Sequence, residues 1–218
     1  MKKFIYRNSL SLVFLFLFFF ALAGQIFFGL TEYNNDLIEL GGSTVSLGKY
    51  LSSGHFFEAT FENWESEFLQ MALLVWLTIF LRQQGSSESK KLDEEEEVDR
   101  EPDASKSDAP WPVKRGGLYL KVYKNSLGLS LFLLFLLSFI LHVYGSLKDA
   151  NRENILKGKP LEAVGNYLVD SRLWFESFQN WQSEFLSIFA IIVLSIFLRQ
   201  HKSPQSKPVD ASNSETGK

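Results

Sequence analysis

The side chains best placed to do chemistry are two glutamates and a histidine set in apolar surroundings. Glu67 and Glu184 each hold the fifth position of the motif Asn-Trp-x-Ser-Glu-Phe-Leu, and His142 interrupts the apolar run from Leu127 to Leu147. At the 3.6-residue period Asn63, Glu67, Gln70 and Thr78 fall near one line, and Asn180, Glu184, Ser187 and Ser195 near another. Gln25 shares a face with Ser11 and Ala21, and His142 with Gly128 and Ser138. An ionisable group inside a membrane helix is a candidate for holding a ligand, ion or proton. Asn, Gln, Ser and Thr in such a setting hydrogen-bond between helices. Pairing Glu67 with His142, and Glu184 with Gln25, would line a small polar chamber.

Depth argues for a plainer reading. Glu67 and Glu184 stand 15 residues before Arg82 and Arg199, which is ~22 Å along a helix. Gln25 and His142 stand 18 residues after Arg7 and Lys124, or ~27 Å. All four then sit near the edge of a ~30 Å hydrocarbon layer, where water reaches them. The leading expectation is interfacial residues, with interhelical hydrogen bonding next and a true ligand, ion or proton site third.

Other chemistries find no residues to carry them. The chain has no cysteine and three histidines, which removes disulfides, thiolate nucleophiles and Cys-based zinc sites. His-Glu-x-x-His, Gly-x-Ser-x-Gly and a phosphate loop are all missing. His55 and His201 read as isolated surface residues. No catalytic residue, metal site or cofactor is expected, and the protein is expected not to be an enzyme. A net charge of −3 lacks the basic stripe that nucleic acid requires.

The elements that must position these residues are membrane helices. Leu10 to Leu30 and Leu127 to Leu147 are long enough to cross a bilayer. Phe68 to Leu81 and Phe185 to Leu198 are shorter and need their flanks. Trp64 and Trp181 at one end, and Arg82 and Arg199 at the other, serve as interfacial anchors. Four transmembrane helices are expected, at 9–30, 62–82, 126–147 and 179–199. Lys2-Lys3 with Ala21-Leu22-Ala23 imitates a secretory signal, but the apolar run continues through Ile26-Phe27-Phe28. The distribution of Lys and Arg favours both termini and the central linker in the cytoplasm.

The chain also repeats itself at an offset of 117 residues. Tyr6-Arg7-Asn8-Ser9-Leu10 matches Tyr123-Lys124-Asn125-Ser126-Leu127, Tyr50-Leu51 matches Tyr167-Leu168, and Ile79-Phe80-Leu81-Arg82-Gln83 matches Ile196-Phe197-Leu198-Arg199-Gln200. With the Asn-Trp motifs in the same register, chance apolar similarity is excluded. Two helices per copy make this a parallel repeat. The expected organisation is an all-α integral membrane protein of two tandem helical hairpins. Residues 1–83 form the first, 84–117 a disordered acidic linker containing Glu94 to Glu97, 118–201 the second hairpin and 202–218 a disordered tail. Leu47 to Leu51 and Leu161 to Leu168 read as short helices on the outer surface, the first capped by Ser46.

The paired motifs Asn63-Trp64-Glu65-Ser66-Glu67-Phe68-Leu69 and Asn180-Trp181-Gln182-Ser183-Glu184-Phe185-Leu186, with Gly54-His55-Phe56 and Pro110-Trp111-Pro112, resemble an uncharacterised bacterial family of small membrane proteins, a domain of unknown function. The resemblance covers nearly the whole chain. It implies a bacterial inner-membrane protein and supplies no activity. The expected role is a non-enzymatic interaction or structural component, with the lipid bilayer, a second copy or another membrane protein as partner. The alternative is a small oligomeric transporter or channel using Glu67, Glu184 and His142.

Overall fold

The computed structural model describes residues 2–217, whose regular structure is helical, with no strand among them. Among the described residues nine α-helices follow in order: α1 Lys2–Arg7, α2 Ser9–Glu39, α3 Leu47–Tyr50, α4 Gly54–Phe80, α5 Trp111–Arg115, α6 Gly117–Lys124, α7 Ser126–Leu156, α8 Val164–Tyr167 and α9 Ser171–Phe197. The bounds of α2, α3 and α4 recur in α7, α8 and α9 at a shift of 117 positions.

Among the described residues three helices are long and apolar enough to cross a membrane: Ser9–Glu39, Ser126–Leu156 and Ser171–Phe197. The equally long α4 is not among them, because Glu58, Glu62, Glu65 and Glu67 leave only its second half free of charge. Both α2 and α7 continue past the apolar runs that end at Leu30 and Leu147. No breaker intervenes until Gly41 and Gly158, whose φ values of 76° and 65° lie in the left-handed region. Each end is a Schellman motif. The Gly42 N–H donates to the Leu37 carbonyl at 2.7 Å and Gly41 to Ile38 at 2.9 Å, while Lys159 donates to Asn154 at 2.8 Å and Gly158 to Ile155 at 3.2 Å.

The chain divides into two compact units, Met1–Phe61 with Ile140–Trp174 and Glu62–Phe139 with Phe175–Lys218. In the first, Tyr33, Leu37 and Tyr50 form a buried core packed by Leu30, Val45, Phe56 and Leu156. Each short helix is tied back by an asparagine. The Asn34 amide donates to the Val45 carbonyl at 3.2 Å, and its Oδ1 accepts from the Val45 N–H at 2.6 Å. Asn151 makes the same pair with Glu162, at 3.0 and 2.7 Å. Ser46 stands at the N-cap of α3 but its side chain makes no cap bond, so this expected cap is corrected; the Asn34 clamp holds the loop instead. The amino end of α4 touches α7 through glycine. A Cβ on Gly54 would lie 2.3 Å from the Asp149 nitrogen, and one on Gly145 2.4 Å from the Glu58 nitrogen. Small residues let the two backbones meet.

In the second unit Trp76 packs over Gly128, where a Cβ would sit 2.2 Å from its Nε1. Trp76 also stacks against Phe132 at 5.5 Å. The linker expected to be disordered carries a 3₁₀ turn, Glu97–Asp99, and the helix α5, and bonds with α9 and the tail. Ser86 Oγ and Ser195 Oγ are 3.0 Å apart, Gly85 N–H donates to Thr216 Oγ1 at 2.9 Å, and Gly217 N–H to the Ser86 carbonyl at 3.0 Å.

Candidate functional site

In the first unit the charged groups converge on Arg172. At the start of α9, its Nη2 donates to Glu58 Oε1 at 3.0 Å and to Asp149 Oδ2 at 3.3 Å, and its Nη1 to Glu153 Oε1 at 3.2 Å. Glu153 in turn pairs with Lys157 one helical turn on, at 2.6 Å. Asp149 and Glu58 are largely buried, and Arg172 keeps about a third of its surface. A planar fork with five donors suits this shared geometry, where an ammonium would serve fewer oxygens.

Beside this cluster lies a polar cavity of about 210 Å³ lined by Tyr33, Asp36, His55, Asp149, Arg152 and Glu153 among others. His55, read from sequence as an isolated surface residue, is instead part of an aromatic cluster. Its ring lies 5.0 Å from Tyr33 and 6.0 Å from Tyr50, and its Nδ1 is buried without a hydrogen-bond partner. Tyr50 stands nearby in sequence on α3, but Tyr33 comes from α2, a partner that no local pattern reveals. Tyr50, fully buried on α3, has its phenol pushed above the ordinary tyrosine value by burial and, secondarily, by Tyr33.

The residues singled out by spacing are spread over both units. In the first unit the Gln25 amide donates to Thr60 Oγ1 at 3.0 Å, and His142 is fully buried. In the second unit Glu67 and Asn63 are exposed, while Glu184 and Asn180 are half-buried. Asn180 Nδ2 donates to the Glu176 carbonyl at 3.0 Å. Trp181, expected as an anchor, donates through Nε1 to Glu65 Oε1 at 3.2 Å, and Trp64 is half-buried.

Arg82 and Arg199 close their helices. Nη1 of Arg82 donates to the carbonyls of Thr78, Ile79 and Leu81 at 3.3, 3.2 and 3.0 Å. Nη1 of Arg199 makes the equivalent bonds to Ser195, Ile196 and Leu198 at 3.3, 3.1 and 3.0 Å. Cations there satisfy orphan carbonyls and oppose the negative end of the helix dipole.

Glu58, Asp149, Glu153, Arg172 and Glu65 escaped the spacing argument, although one signal was present. Glu58, Glu62 and Glu65 follow each other at the i, i+4, i+7 period, which puts three carboxylates on one face of α4. Arg172 also stands 117 positions after His55, so the repeat carries a basic residue at both places. In chemical terms the first unit offers a saturated ion cluster and a small polar cavity, and the second a carboxylate held by an indole.

The model of a family described as a domain of unknown function, DUF6766, matches residues 1–218. No curated protein and no solved structure matches the chain.

Proposed function

The chain belongs to the DUF6766 family, and we propose that it is a bacterial integral membrane protein with an interaction or structural role in the cytoplasmic membrane rather than a catalytic one. The observation that carries this reading is the mutual saturation around Arg172, whose guanidinium is divided among Glu58, Asp149 and Glu153. A cation so engaged neither activates a nucleophile nor waits for an anionic substrate; it fixes helix ends.

The proposed architecture is two tandem hairpins that cross the bilayer four times, with both termini and the linker in the cytoplasm. Matched helix bounds, matched Asn34 and Asn151 clamps and matched Arg82 and Arg199 caps support the duplication. The fourth crossing, α4, rests on its likeness to α9. Lys2, Lys3 and Arg7, with the basic residues around the linker, support the sidedness. Partners are the lipid bilayer and either a second copy or another membrane protein.

Cross-linking and co-purification from native membranes test the role. Recovery of a stoichiometric partner supports it. A purified, reconstituted protein that turns over a substrate, with loss in Glu67→Gln plus Glu184→Gln, overturns it.

A second reading, a small oligomeric transporter or channel using Glu67, Glu184 and His142, is favoured by the full burial of the ionisable His142 in the long apolar helix α7. A monomer of four helices encloses little volume, so this version needs a dimer or larger assembly. Liposomes that show no proton or solute flux at any pH would remove it.

A further inference from the structure

The first unit holds a basic pocket of about 750 Å³, and no carboxylate among the described residues lines it. One wall is a stripe of α7 made of Tyr144, Leu147, Lys148, Asn151, Arg152 and Ile155. Their helical spacing puts them on a single face. The rest includes Val45 and Lys49 at α3, Ser53 and Gly54 where α4 begins, and Leu161. The pocket thus carries three cations, Lys49, Lys148 and Arg152, beside an apolar wall.

Charge is sorted between neighbouring cavities. Asp36, Glu39, Asp149 and Glu153 line the smaller cavity and not the basic pocket. Arg152 lines both, yet neither its guanidinium nor the Lys49 ammonium has an ion pair or hydrogen bond among the described residues. Lys148 meets neutral oxygens: its Nζ donates to the Ser52 carbonyl at 2.6 Å and to the Tyr144 hydroxyl at 3.3 Å. An ammonium has a third N–H to give. Ser53 is buried, and its Oγ accepts from the Phe56 N–H at 3.1 Å, which leaves the hydroxyl proton for another acceptor. By contrast, Arg172 and Lys157 in the same unit are engaged by carboxylates.

Helix formation does not require these charges. At an offset of 117 positions Asn166, Thr31 and Asn35 stand in the places of Lys49, Lys148 and Arg152, and Asp170 in that of Ser53. The helices α2 and α8 form there without them.

We propose that this pocket binds the phosphate group of a net-anionic phosphate ester, whose apolar part lies on Leu147, Ile155 and Leu161. Arg152 offers a fork of N–H donors, and guanidinium with phosphate forms strong charge-assisted bonds. Lys49 and Lys148 add two further charges, and Ser53 donates its hydroxyl. A tetrahedral phosphate has oxygens for donors that arrive from α3, α4 and α7 together; a carboxylate presents two oxygens in one plane. The ammonium of a zwitterionic ester would bring another positive charge to a pocket that has no anion to receive it. A phosphatidylglycerol headgroup and a soluble glycerol phosphate share the required chemistry. The site is built within the first unit and goes beyond the interaction role proposed above; its lipid source alone rests on the membrane reading.

Two measurements on the full-length protein in detergent separate the sources. Native mass spectrometry compares retention of dioleoyl phosphatidylglycerol with that of dioleoyl phosphatidylcholine. Calorimetric titration compares glycerol 1-phosphate with glycerate. A headgroup site retains the glycerol lipid about tenfold better than the choline lipid, and a soluble-ester site binds glycerol phosphate about tenfold more tightly than glycerate, the worth of one hydrogen bond to a charged group. Lys49→Gln plus Arg152→Gln removes the preference. Its melting temperature should move little, because neither side chain has an internal bond to lose. Leu161→Trp, at an exposed position, fills the pocket with every cation in place and weakens binding of the preferred ligand. Lys159→Gln removes a charge from the same loop outside the pocket and leaves the preference intact. Absence of both preferences, a preference that survives the double variant, or one lost in Lys159→Gln overturns the proposal. A protein that stays dispersed without detergent overturns the membrane reading; the glycerol phosphate titration needs no bilayer and decides the pocket separately.

Discussion

Tyr167 and Ser146 share a buried hydrogen bond of 2.5 Å between α8 and α7, and 117 positions earlier the same two places hold Tyr50 and Gly29. Both tyrosines are fully buried, at 0 and 1 % exposure. Each seats a short helix against a long one. In the first copy the tyrosine hydroxyl occupies the space of the missing side chain, for a Cβ on Gly29 would lie 2.1 Å from it. The two tyrosines, 117 positions apart, are one kind of anchor with two different contacts.

Tyr167→Phe should therefore cost about 1 kcal/mol, the net worth of a hydrogen bond whose partner stays buried. Gly29→Ala should cost more, because the Tyr50 ring must move. Gly24→Ala, with nothing within 4 Å of the new methyl, should be neutral. Thermal denaturation in detergent ranks the three, and an equal effect of Gly24→Ala and Gly29→Ala would contradict the close approach.

Alkaline pH should loosen the first unit. Burial, and behind it Tyr33, raises the Tyr50 phenol above its ordinary value. The folded state then prefers the protonated phenol. That stabilisation is complete below the unfolded value of about 10 and fades as pH rises through the higher folded value. Melting temperature should fall above about pH 10, and Tyr50→Phe should flatten that part of the profile. An identical alkaline decline in the variant would assign it to another group.

Arg172→Met should destabilise the protein by about 1–3 kcal/mol, less than the full penalty for breaking a buried pair because Arg172 is partly exposed. Lysine should restore only part of this, since one ammonium cannot reach three carboxylates in the same plane. Adding Glu58→Gln to Arg172→Met should cost less than the sum of the single changes. Additive denaturation midpoints would show that the two groups do not interact.

Gly145→Ala places a methyl 2.4 Å from the Glu58 nitrogen and 2.7 Å from the Phe57 Cβ. Backbone atoms cannot rotate away, so the helices must part. The expected loss is about 1–3 kcal/mol, read as a lower melting temperature and faster proteolysis of the first unit. Unchanged stability would mean that α4 and α7 do not touch there.

Sidedness can be read by thiol labelling, because the chain has no cysteine of its own. A membrane-impermeant maleimide should label Lys157→Cys in intact spheroplasts and Lys106→Cys only after permeabilisation. The reverse pattern would invert the proposed topology while leaving the helices in place.

Several of these contacts had local signatures and several had none. The long helices announced themselves through unbroken apolar runs, but their expected ends at 30 and 147 fell short of Glu39 and Leu156, because the polar last turns carry no apolar signal. The short helices showed at 47–51 and 161–168 because their apolar residues follow helical spacing. Glu58, Glu62 and Glu65 formed a readable acidic stripe that the stronger Asn-Trp motif obscured. Arg172 gave no such sign, since its partners lie 19, 23 and 114 positions away. Trp181 looked like an interfacial anchor because an indole is amphipathic; its contact with Glu65 depends on another helix.

The sequence by itself determined the helical class, the apolar stretches and the recurrence of residues at an offset of 117, because each is written in composition and period along one chain. Tertiary structure decided which polar groups meet. It turned His55 from a surface residue into a member of an aromatic cluster, joined Gln25 to Thr60, and left Arg82 and Arg199 with different neighbours despite identical local motifs. The physical reason is that a helix's period fixes the face on which a residue stands, whereas its partner depends on how another helix crosses that face, and close approach at Gly54, Gly128 and Gly145 sets those crossings.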